Sequence, residues 1–212
     1  HILVDTVAGA DAVVFIQIGR DLLVVLVDAR HLDHIETADF LPHFQGVVVI
    51  GPQDLILADE QDIGALLKKT GMTLLSTVGG ASGPLYGTAF MEAGKIMAGK
   101  TEITPEDFGA ILGAAIAGIQ KRGHAVRGEK TMLDALIPAH ETYTAKIAEG
   151  SDMVNALDYA CQSARDGVEY TKTIAATKGR ASYLGERSIG HQDPGAASAA
   201  IILEAIRDSM KG

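Results

Sequence analysis

The pattern of apolar positions changes near residue 58 of this chain. Before that point, short apolar runs rich in β-branched residues occupy residues 12–16, 22–27 and 46–51, and Gly, Asp and Pro bound them. Such runs are typical of buried strands or of buried helix segments, and periodicity does not separate the two. Taken alone, they predict strands.

After residue 58 the pattern is helical. Apolar residues recur at spacings of three and four from Ile63 to Val78, which predicts a first helix. Thr104, followed by a proline and two acids, is a typical N-cap residue, and the apolar stripe after it runs to Gly123. Later stripes predict three further helices, over residues 129–147, 152–177 and 194–210. Pro138 should kink the first of these three because it lacks an N–H group. This part of the chain is predicted to be an all-α bundle.

Composition narrows the classes of protein. Because 18 Lys+Arg face 27 Asp+Glu, the net charge is −9, which disfavours nucleic acid and anionic lipid as partners. No charge-free apolar run reaches the roughly 18–20 residues of a membrane span, and the chain opens without the basic segment of a signal peptide. We therefore expect a cytoplasmic protein without a membrane partner.

Cys161 is the single cysteine, which excludes an internal disulfide and a cysteine-based zinc site. With 24 Gly and no Trp, the core must be built from close helix or strand contacts.

Three glycine-marked segments each precede a predicted helix. They occupy residues 78–88, 122–132 and 178–195, and the second and third are basic in an otherwise acidic chain. In the first, Ser82 or Gly83 is a candidate cap, and Pro84 suits the first helical position. Free N–H groups at the positive end of a helix dipole attract anions. The competing interpretation is a plain helix–helix connection in which glycine permits close packing.

Together the three segments predict a phosphate-bearing ligand at one end of the bundle. The chain has neither the G-x-x-x-x-G-K-[ST] pattern of a P-loop nor a G-x-G-x-x-G that follows a strand. A loop as long as residues 178–195 between two helices is uncommon and usually functional. We therefore expect a phosphate site made from helix starts.

These segments closely resemble the DhaL family, the nucleotide-binding subunits of phosphotransferase-system dihydroxyacetone kinases. The matching stretches are GMTLLSTVGGASGPLYGTAF, QKRGHAVRGEKTMLDALIP and ATKGRASYLGERSIGHQDPGAAS, at residues 71–90, 120–138 and 176–198. The resemblance implies an all-α fold, an antiparallel barrel of eight helices with the nucleotide at one end. It also implies a single domain over residues 1–212, in which residues 57–212 match the family and residues 1–56 are atypical.

The resemblance further implies a set of site residues. The implied cofactor-binding residues are Gly80, Ala81, Ser82, Gly123, Met132, Arg180, Asp193, Pro194 and Gly195. Arg180 is also the implied catalytic residue. The implied cofactors are ADP/ATP and Mg²⁺. A DhaM-like phosphocarrier would rephosphorylate the bound ADP, and the phosphoryl group would pass to dihydroxyacetone on a DhaK-like subunit.

The aspartate-rich metal loop of the family is not recognisable here. At family spacing it should fall near residues 32–40, where Asp39 occupies the place of the third aspartate and Asp33 stands one position late for the first. These two are the candidate metal ligands, and an ordinary acidic surface turn is the alternative. Residues 1–56 keep the family's length without its pattern. Three explanations of this missing pattern are divergence to another function, origin in another domain, and a shifted reading frame in the determined sequence.

Three functions remain open on the sequence. The first is the phosphotransfer subunit just described. The second is the nucleotide-binding domain of an ATP-dependent dihydroxyacetone kinase that exchanges free ATP. The third is a non-catalytic module that binds nucleotide without transferring phosphate.

Overall fold

A computed structural model describes residues 61–211 and the backbone of residues 13–17, 23–27 and 48–50. The three short N-terminal segments are the strands β1 (Val13–Gln17), β2 (Leu23–Val27) and β3 (Val48–Ile50). They form an antiparallel sheet in the order β1-β2-β3, with Phe15 opposite Val25 and Val25 opposite Val49. The strands fall inside the three apolar runs, so the local pattern predicted them correctly.

Residues 61–211 are helical, as the sequence predicted. The helices are α1 (Ile63–Thr77), α2 (Ser82–Ile96), α3 (Pro105–Gly123), α4 (Leu133–Ala148), α5 (Met153–Thr171) and α6 (Pro194–Lys211), with a 3-10 helix (Arg180–Ser188) between α5 and α6. The all-α class is thereby confirmed for this part of the chain. The described residues contain six α-helices, and the predicted count of eight and the closed barrel stay predictions.

Successive helices run antiparallel and pack on their sequence neighbours, and α4 also contacts α6. As a result, α2, α4 and α6 begin at the end of the bundle where α1, α3 and α5 finish. We call this the loop end, and the opposite end, with the turns at residues 97–104 and 149–152, the turn end.

Close backbone contact replaces bulky side chains between α1 and α2. A Cβ on Gly71 would lie 2.6 Å from the carbonyl oxygen of Gly87, and a Cβ on Gly87 would lie 2.8 Å from the carbonyl oxygen of Gly71. Only glycine fits at such contacts without moving a helix. This confirms the expectation of a core made from close helix contacts.

The centre of the core lies among α3 to α6. Tyr143 is fully buried, packs edge-on against Phe108 with ring centroids 5.2 Å apart, and donates to the carbonyl of Pro105 at 2.9 Å. Cys161 is buried among these helices. None of the described helices combines the length and apolarity that a membrane span needs.

Candidate functional site

The three glycine-marked segments meet at the loop end. A Cβ on Gly123, at the end of α3, would lie 3.1 Å from Cδ2 of Leu85 in the first turn of α2. A Cβ on Gly195, in the first turn of α6, would lie 3.4 Å from the backbone nitrogen of Met132. These two contacts join the first segment to the second and the second to the third. The predicted convergence of three helix starts is therefore confirmed.

The first segment leaves the N-terminus of α2 open. Ala81 is the N-cap residue, with helical backbone angles and no side-chain acceptor. Gly80 has a φ of +69°, and a Cβ there would meet nothing within 4 Å. The predicted cap was wrong: Ser82 already lies in the helix and Pro84 is its third residue. Within the described part of the chain no side chain accepts from the first N–H groups of α2, so these groups remain available to an anion.

The second segment is folded around one buried carboxylate. Asp134 accepts the N–H groups of Gly128 at 2.5 Å and of Thr131 at 2.8 Å, and only 1% of the residue is exposed. The resulting turn delays α4, which begins at Leu133 and not near residue 129 as predicted. The turn also buries Met132 beside the start of α6.

Lys130 is the most unusual residue of this turn. Its φ is +60°, a left-handed conformation that costs a non-glycine residue about 1–2 kcal/mol, and it is only 3% exposed. Its Nζ donates to the carbonyl oxygens of Thr171 at 2.6 Å, Ile174 at 3.2 Å, Ser188 at 2.8 Å and His191 at 2.6 Å. Burial lowers the pKa of the ammonium, and the negative charge of Asp193 opposes this shift. Lys130 therefore ties the second segment both to the end of α5 and to the last part of the third segment.

The third segment is more ordered than the loop that the sequence predicted, because residues 180–188 form 3-10 helix interrupted by a kink at Gly185, whose φ is +55°. Ser188 is buried at its base, where its hydroxyl accepts the N–H of Ala176 at 2.8 Å. The N–H of Gly190 donates to the carbonyl of Lys172 at 2.8 Å. Arg180 begins the 3-10 helix with an exposed side chain. The base of this segment is fixed, and its tip faces solvent.

Asp193 caps α6, as predicted, and it is nearly buried. Its carboxylate accepts the N–H of Ala196 at 2.7 Å, and its own N–H donates to the Thr171 hydroxyl at 2.8 Å. Burial raises the pKa of Asp193 to about 6, with a smaller contribution from the charge of Asp134; the Ala196 N–H and the charge of Lys130 act in the opposite direction. This group titrates closer to neutrality than a surface aspartate does.

Tyr86, in the first turn of α2, completes the polar surroundings of Asp193. Its hydroxyl is buried and has no hydrogen-bond partner among the described residues. Burial raises the pKa of the Tyr86 hydroxyl, and the negative charge of Asp193 adds to the shift. A buried polar atom without a partner is rare in folded proteins and calls for a ligand or an ordered water.

The predicted site residues share this end of the molecule but differ in exposure. Met132 and Asp193 are buried, and the exposed members are Gly80, Ala81 and Arg180. The half-buried members are Ser82, Gly123, Pro194 and Gly195.

Sequence reasoning missed Lys130, Asp134 and Tyr86. The partners of Lys130 lie in another part of the chain, and the Tyr86 hydroxyl has none among the described residues. Asp134 accepts from the nearby Gly128 and Thr131, but no sequence pattern marks its carboxylate for that role.

The predicted metal ligands, Asp33 and Asp39, lie outside the described residues. Among the residues that the structure describes, no group of three or more His, Cys, Asp or Glu side chains is placed to hold a metal ion. The loop end as described offers an open helix N-terminus and no cluster of carboxylates.

Comparison with known proteins places residues 52–208 in the family of DAK2 domains. The ADP-binding subunit DhaL of the PEP-dependent dihydroxyacetone kinase of Escherichia coli is 44% identical over 152 residues, which is 72% of this chain and 72% of that protein. The human triokinase/FMN cyclase is 37% identical over 146 residues, or 69% of this chain and 25% of that protein.

Among solved structures, the dihydroxyacetone kinase of C. freundii is similar in its native form and in complex with AMP-PNP and Mg²⁺. The TM-scores are 0.52 and 0.50, at 27% and 26% identity over 70% of this chain. The chain spans only about a quarter of that kinase, 24% and 23% in the two structures. The resemblance to DhaL that the three signatures indicated is confirmed.

Proposed function

Because this chain belongs to the family of DAK2 domains, we propose that it is the nucleotide-carrying subunit of a dihydroxyacetone kinase. The class of enzyme, a phosphotransferase, follows from the curated relatives, which are named as kinase subunits. The observation that carries the proposal is the loop end itself. Three segments meet there around an uncapped helix N-terminus, in a chain 44% identical to an ADP-binding subunit.

The residues of the loop end suit ADP. The backbone N–H groups of Ser82 and Gly83 offer donors at the positive end of the α2 dipole, which favours phosphate oxygens. Met132, buried between the second segment and α6, offers an apolar and polarisable surface for the base. The Tyr86 hydroxyl, which has no partner among the described residues, provides a polar group for the ligand or a water. When bound, ATP supplies the phosphoryl group that is transferred.

Arg180 is the proposed catalytic residue. Phosphoryl transfer needs little covalent chemistry from the protein and depends on positioning and on neutralising negative charge. An exposed guanidinium on a segment whose base is anchored by Ser188 can meet a phosphoryl group that passes to another molecule. Arg180 also contributes a permanent positive charge in a chain whose net charge is −9.

The described residues do not fit a Mg²⁺ site by themselves, since they provide no carboxylate cluster. We propose Asp33 and Asp39, which lie outside the described residues, as the Mg²⁺ ligands.

We propose two protein partners, a DhaM-like phosphocarrier that rephosphorylates ADP and a DhaK-like subunit that holds dihydroxyacetone, all in the cytoplasm. Tyr183 and Leu184 lie three and four residues beyond Arg180 on the 3-10 helix, and their side chains are 87% and 46% exposed. Large exposed apolar side chains beside a reacting group support docking of a partner at this place.

A fused ATP-dependent kinase is the second candidate function. The observation that favours it is that the human relative and the C. freundii kinase are about four times longer than the stretch that this chain matches. Such an enzyme exchanges free ATP and has no need of a phosphocarrier.

Nucleotide content tests the proposal. Protein purified at full length and precipitated with acid should release about one ADP per chain, because a cofactor that stays bound survives purification. Nucleotide-free protein that takes up no ADP in the presence of Mg²⁺ would contradict it. Phosphorylation of dihydroxyacetone by DhaK with free ATP alone, without a phosphocarrier, would favour the fused-kinase alternative.

Arg180→Ala tests the catalytic assignment, and Arg187→Ala is the matched control because both arginines are exposed within residues 180–188, on opposite sides of the kink at Gly185. We expect Arg180→Ala to lower the rate of phosphoryl transfer about a hundredfold, the cost of removing one charge-stabilising donor. Equal rates in the two variants would reject the role of Arg180. A chain with no transfer activity in any variant would indicate the non-catalytic module.

A further inference from the structure

The ammonium of Lys130 occupies a cage of backbone carbonyls. Thr171 and Ile174 provide two of them at the end of α5, and Ser188 and His191 provide the other two just before α6. The first pair of carbonyls precedes the third segment, and the second pair lies in its last part. The cage therefore closes the base of the stretch between α5 and α6 that carries Arg180.

The cage holds more acceptors than the ammonium has hydrogens. A lysine ammonium has three N–H donors, whereas four carbonyl oxygens lie within 2.6–3.2 Å of Nζ. No carboxylate accepts directly from this ammonium among the described contacts. Its counter-charge is Asp193, which acts through space. A positive charge surrounded by carbonyl oxygens is the environment that proteins also offer to potassium ions.

The backbone conformation of Lys130 shows that its contacts hold it in an unfavourable geometry. The left-handed φ of +60° is unfavourable for lysine, so the surrounding contacts must maintain it. The neighbouring turn is fixed independently by Asp134, through the N–H groups of Gly128 and Thr131. Lys130 is thus anchored at its backbone by one segment and at its ammonium by the other.

We propose that Lys130 is a positioning residue whose ammonium serves as a built-in monovalent cation. It holds residues 171–191 against the turn of residues 128–132, and so sets the place of Arg180 and Asp193 relative to Met132. Truncation of Lys130 would leave the four carbonyls facing an empty space that a free K⁺ or NH₄⁺ ion can fill. The connection to ADP rests on the proposed function, whereas the cage and its cation stand on the geometry.

The decisive experiment compares Lys130→Ala with Lys130→Met in choline chloride, KCl and NH₄Cl at equal ionic strength. Alanine empties the cage, and methionine fills it with an uncharged chain of similar length. Amide hydrogen exchange of residues 172–192 reports the anchoring directly. Titration with ADP reports its consequence for the site.

In choline chloride, both variants should exchange these amides at least about tenfold faster than the parent protein, since each loses hydrogen bonds to a charged group. ADP affinity should fall by about the same factor. KCl or NH₄Cl should restore slow exchange and ADP affinity in Lys130→Ala, but not in Lys130→Met. The parent protein should be indifferent to the cation.

Parent-like exchange in Lys130→Ala in choline chloride would overturn the proposal. Equal behaviour of the two variants in all three salts would also overturn it, as would a Lys130→Ala chain that folds in none of them. A parent protein that binds no ADP would reject the proposed function, while the exchange measurements would still test Lys130.

Discussion

At the turn end of the bundle, each described helix begins with a side chain that closes its first turn. Asp62 accepts the N–H of Gly64 at 2.8 Å, and Asp152 accepts that of Asn155 at 2.9 Å. Thr104 and Asp107 form a reciprocal capping box at the start of α3. At the loop end, α2 begins with no side-chain acceptor from the described residues. The helix starts at the turn end are capped by side chains, whereas at the loop end the first N–H groups of α2 have no side-chain acceptor among the described residues.

The pKa values of the capping aspartates also differ between the two ends of the bundle. The N–H of Gly99 is the main reason why the pKa of Asp62 is lowered, and the N–H of Asn155 is the main reason for the lowered pKa of Asp152. Burial instead raises the pKa of Asp193 to about 6 at the loop end. Caps at the turn end stabilise the fold. The loop end holds a charge in surroundings that disfavour it, a pattern common at functional sites.

The largest expected effect comes from Gly167→Ala, which tests how tightly the loop end is supported. A Cβ there would lie 2.1 Å from the carbonyl oxygen of Asp134, so α4 and α5 would have to separate. We expect the free energy of unfolding in urea to fall by about 3 kcal/mol or more. The control is Gly109→Ala in the first part of α3, where a Cβ would make ordinary contacts with the Tyr143 ring at 3.5 Å and the Thr144 hydroxyl at 3.7 Å. That variant should be neutral or up to about 1 kcal/mol more stable.

The next largest effect is expected from replacing two aspartates that accept backbone N–H groups at opposite ends of the bundle. Asp134→Ala leaves the partly buried N–H groups of Gly128 and Thr131 without their acceptor and should cost about 3 kcal/mol of unfolding free energy. Asp152→Ala removes an exposed cap at the start of α5 and should cost about 1 kcal/mol. Equal losses in urea unfolding would show that the two ends are not built differently.

Asp193 makes the stability of the loop end depend on pH. Its folded pKa is raised from 3.8 to about 6, so the folded state binds the proton more tightly than the unfolded state. The contribution is therefore complete below pH 4 and is lost as pH rises through 6. Relative to Asp193→Asn, the parent protein should lose on the order of 2 kcal/mol between pH 4 and pH 7. Parallel stability curves for the two proteins over this range would contradict the buried titration.

Much of the fold could be predicted because its signals are local. Thr104, Asp193 and the apolar stripes lie within a few residues of the helices they define, and the structure confirms these starts. The strands within residues 12–51 were indicated by runs of the same local kind. What was not predicted depends on side-chain contacts that no sequence pattern marks. The delayed start of α4 depends on the Asp134 carboxylate, which accepts from Gly128 and Thr131 only six and three residues away. The role of Lys130 depends on carbonyls more than forty residues away. The segments of the site were predictable, and the groups that hold them together were not.

The smallest expected loss of stability comes from replacing one glycine at each end of the bundle, and this pair of variants tests whether only the loop end binds ADP. Gly80 at the loop end and Gly99 at the turn end have φ values of +69° and +77°, and a Cβ at either would meet nothing within 4 Å. Alanine should therefore cost each variant about 1 kcal/mol of unfolding free energy through backbone strain alone. Thermal unfolding of the two alanine variants should give closely similar midpoints.

ADP affinity should not match in the same pair of variants. Gly80 immediately precedes the open N-terminus of α2, where a methyl group and a shifted backbone would intrude on a phosphate bound there. Gly99 lies at the other end of α2, about 22 Å away along a 15-residue helix. Titration calorimetry should show ADP bound more weakly by Gly80→Ala by about tenfold and unchanged by Gly99→Ala. If both variants bound ADP as the parent does, the phosphate contacts would lie elsewhere at the loop end, and the open start of α2 would have only a structural role.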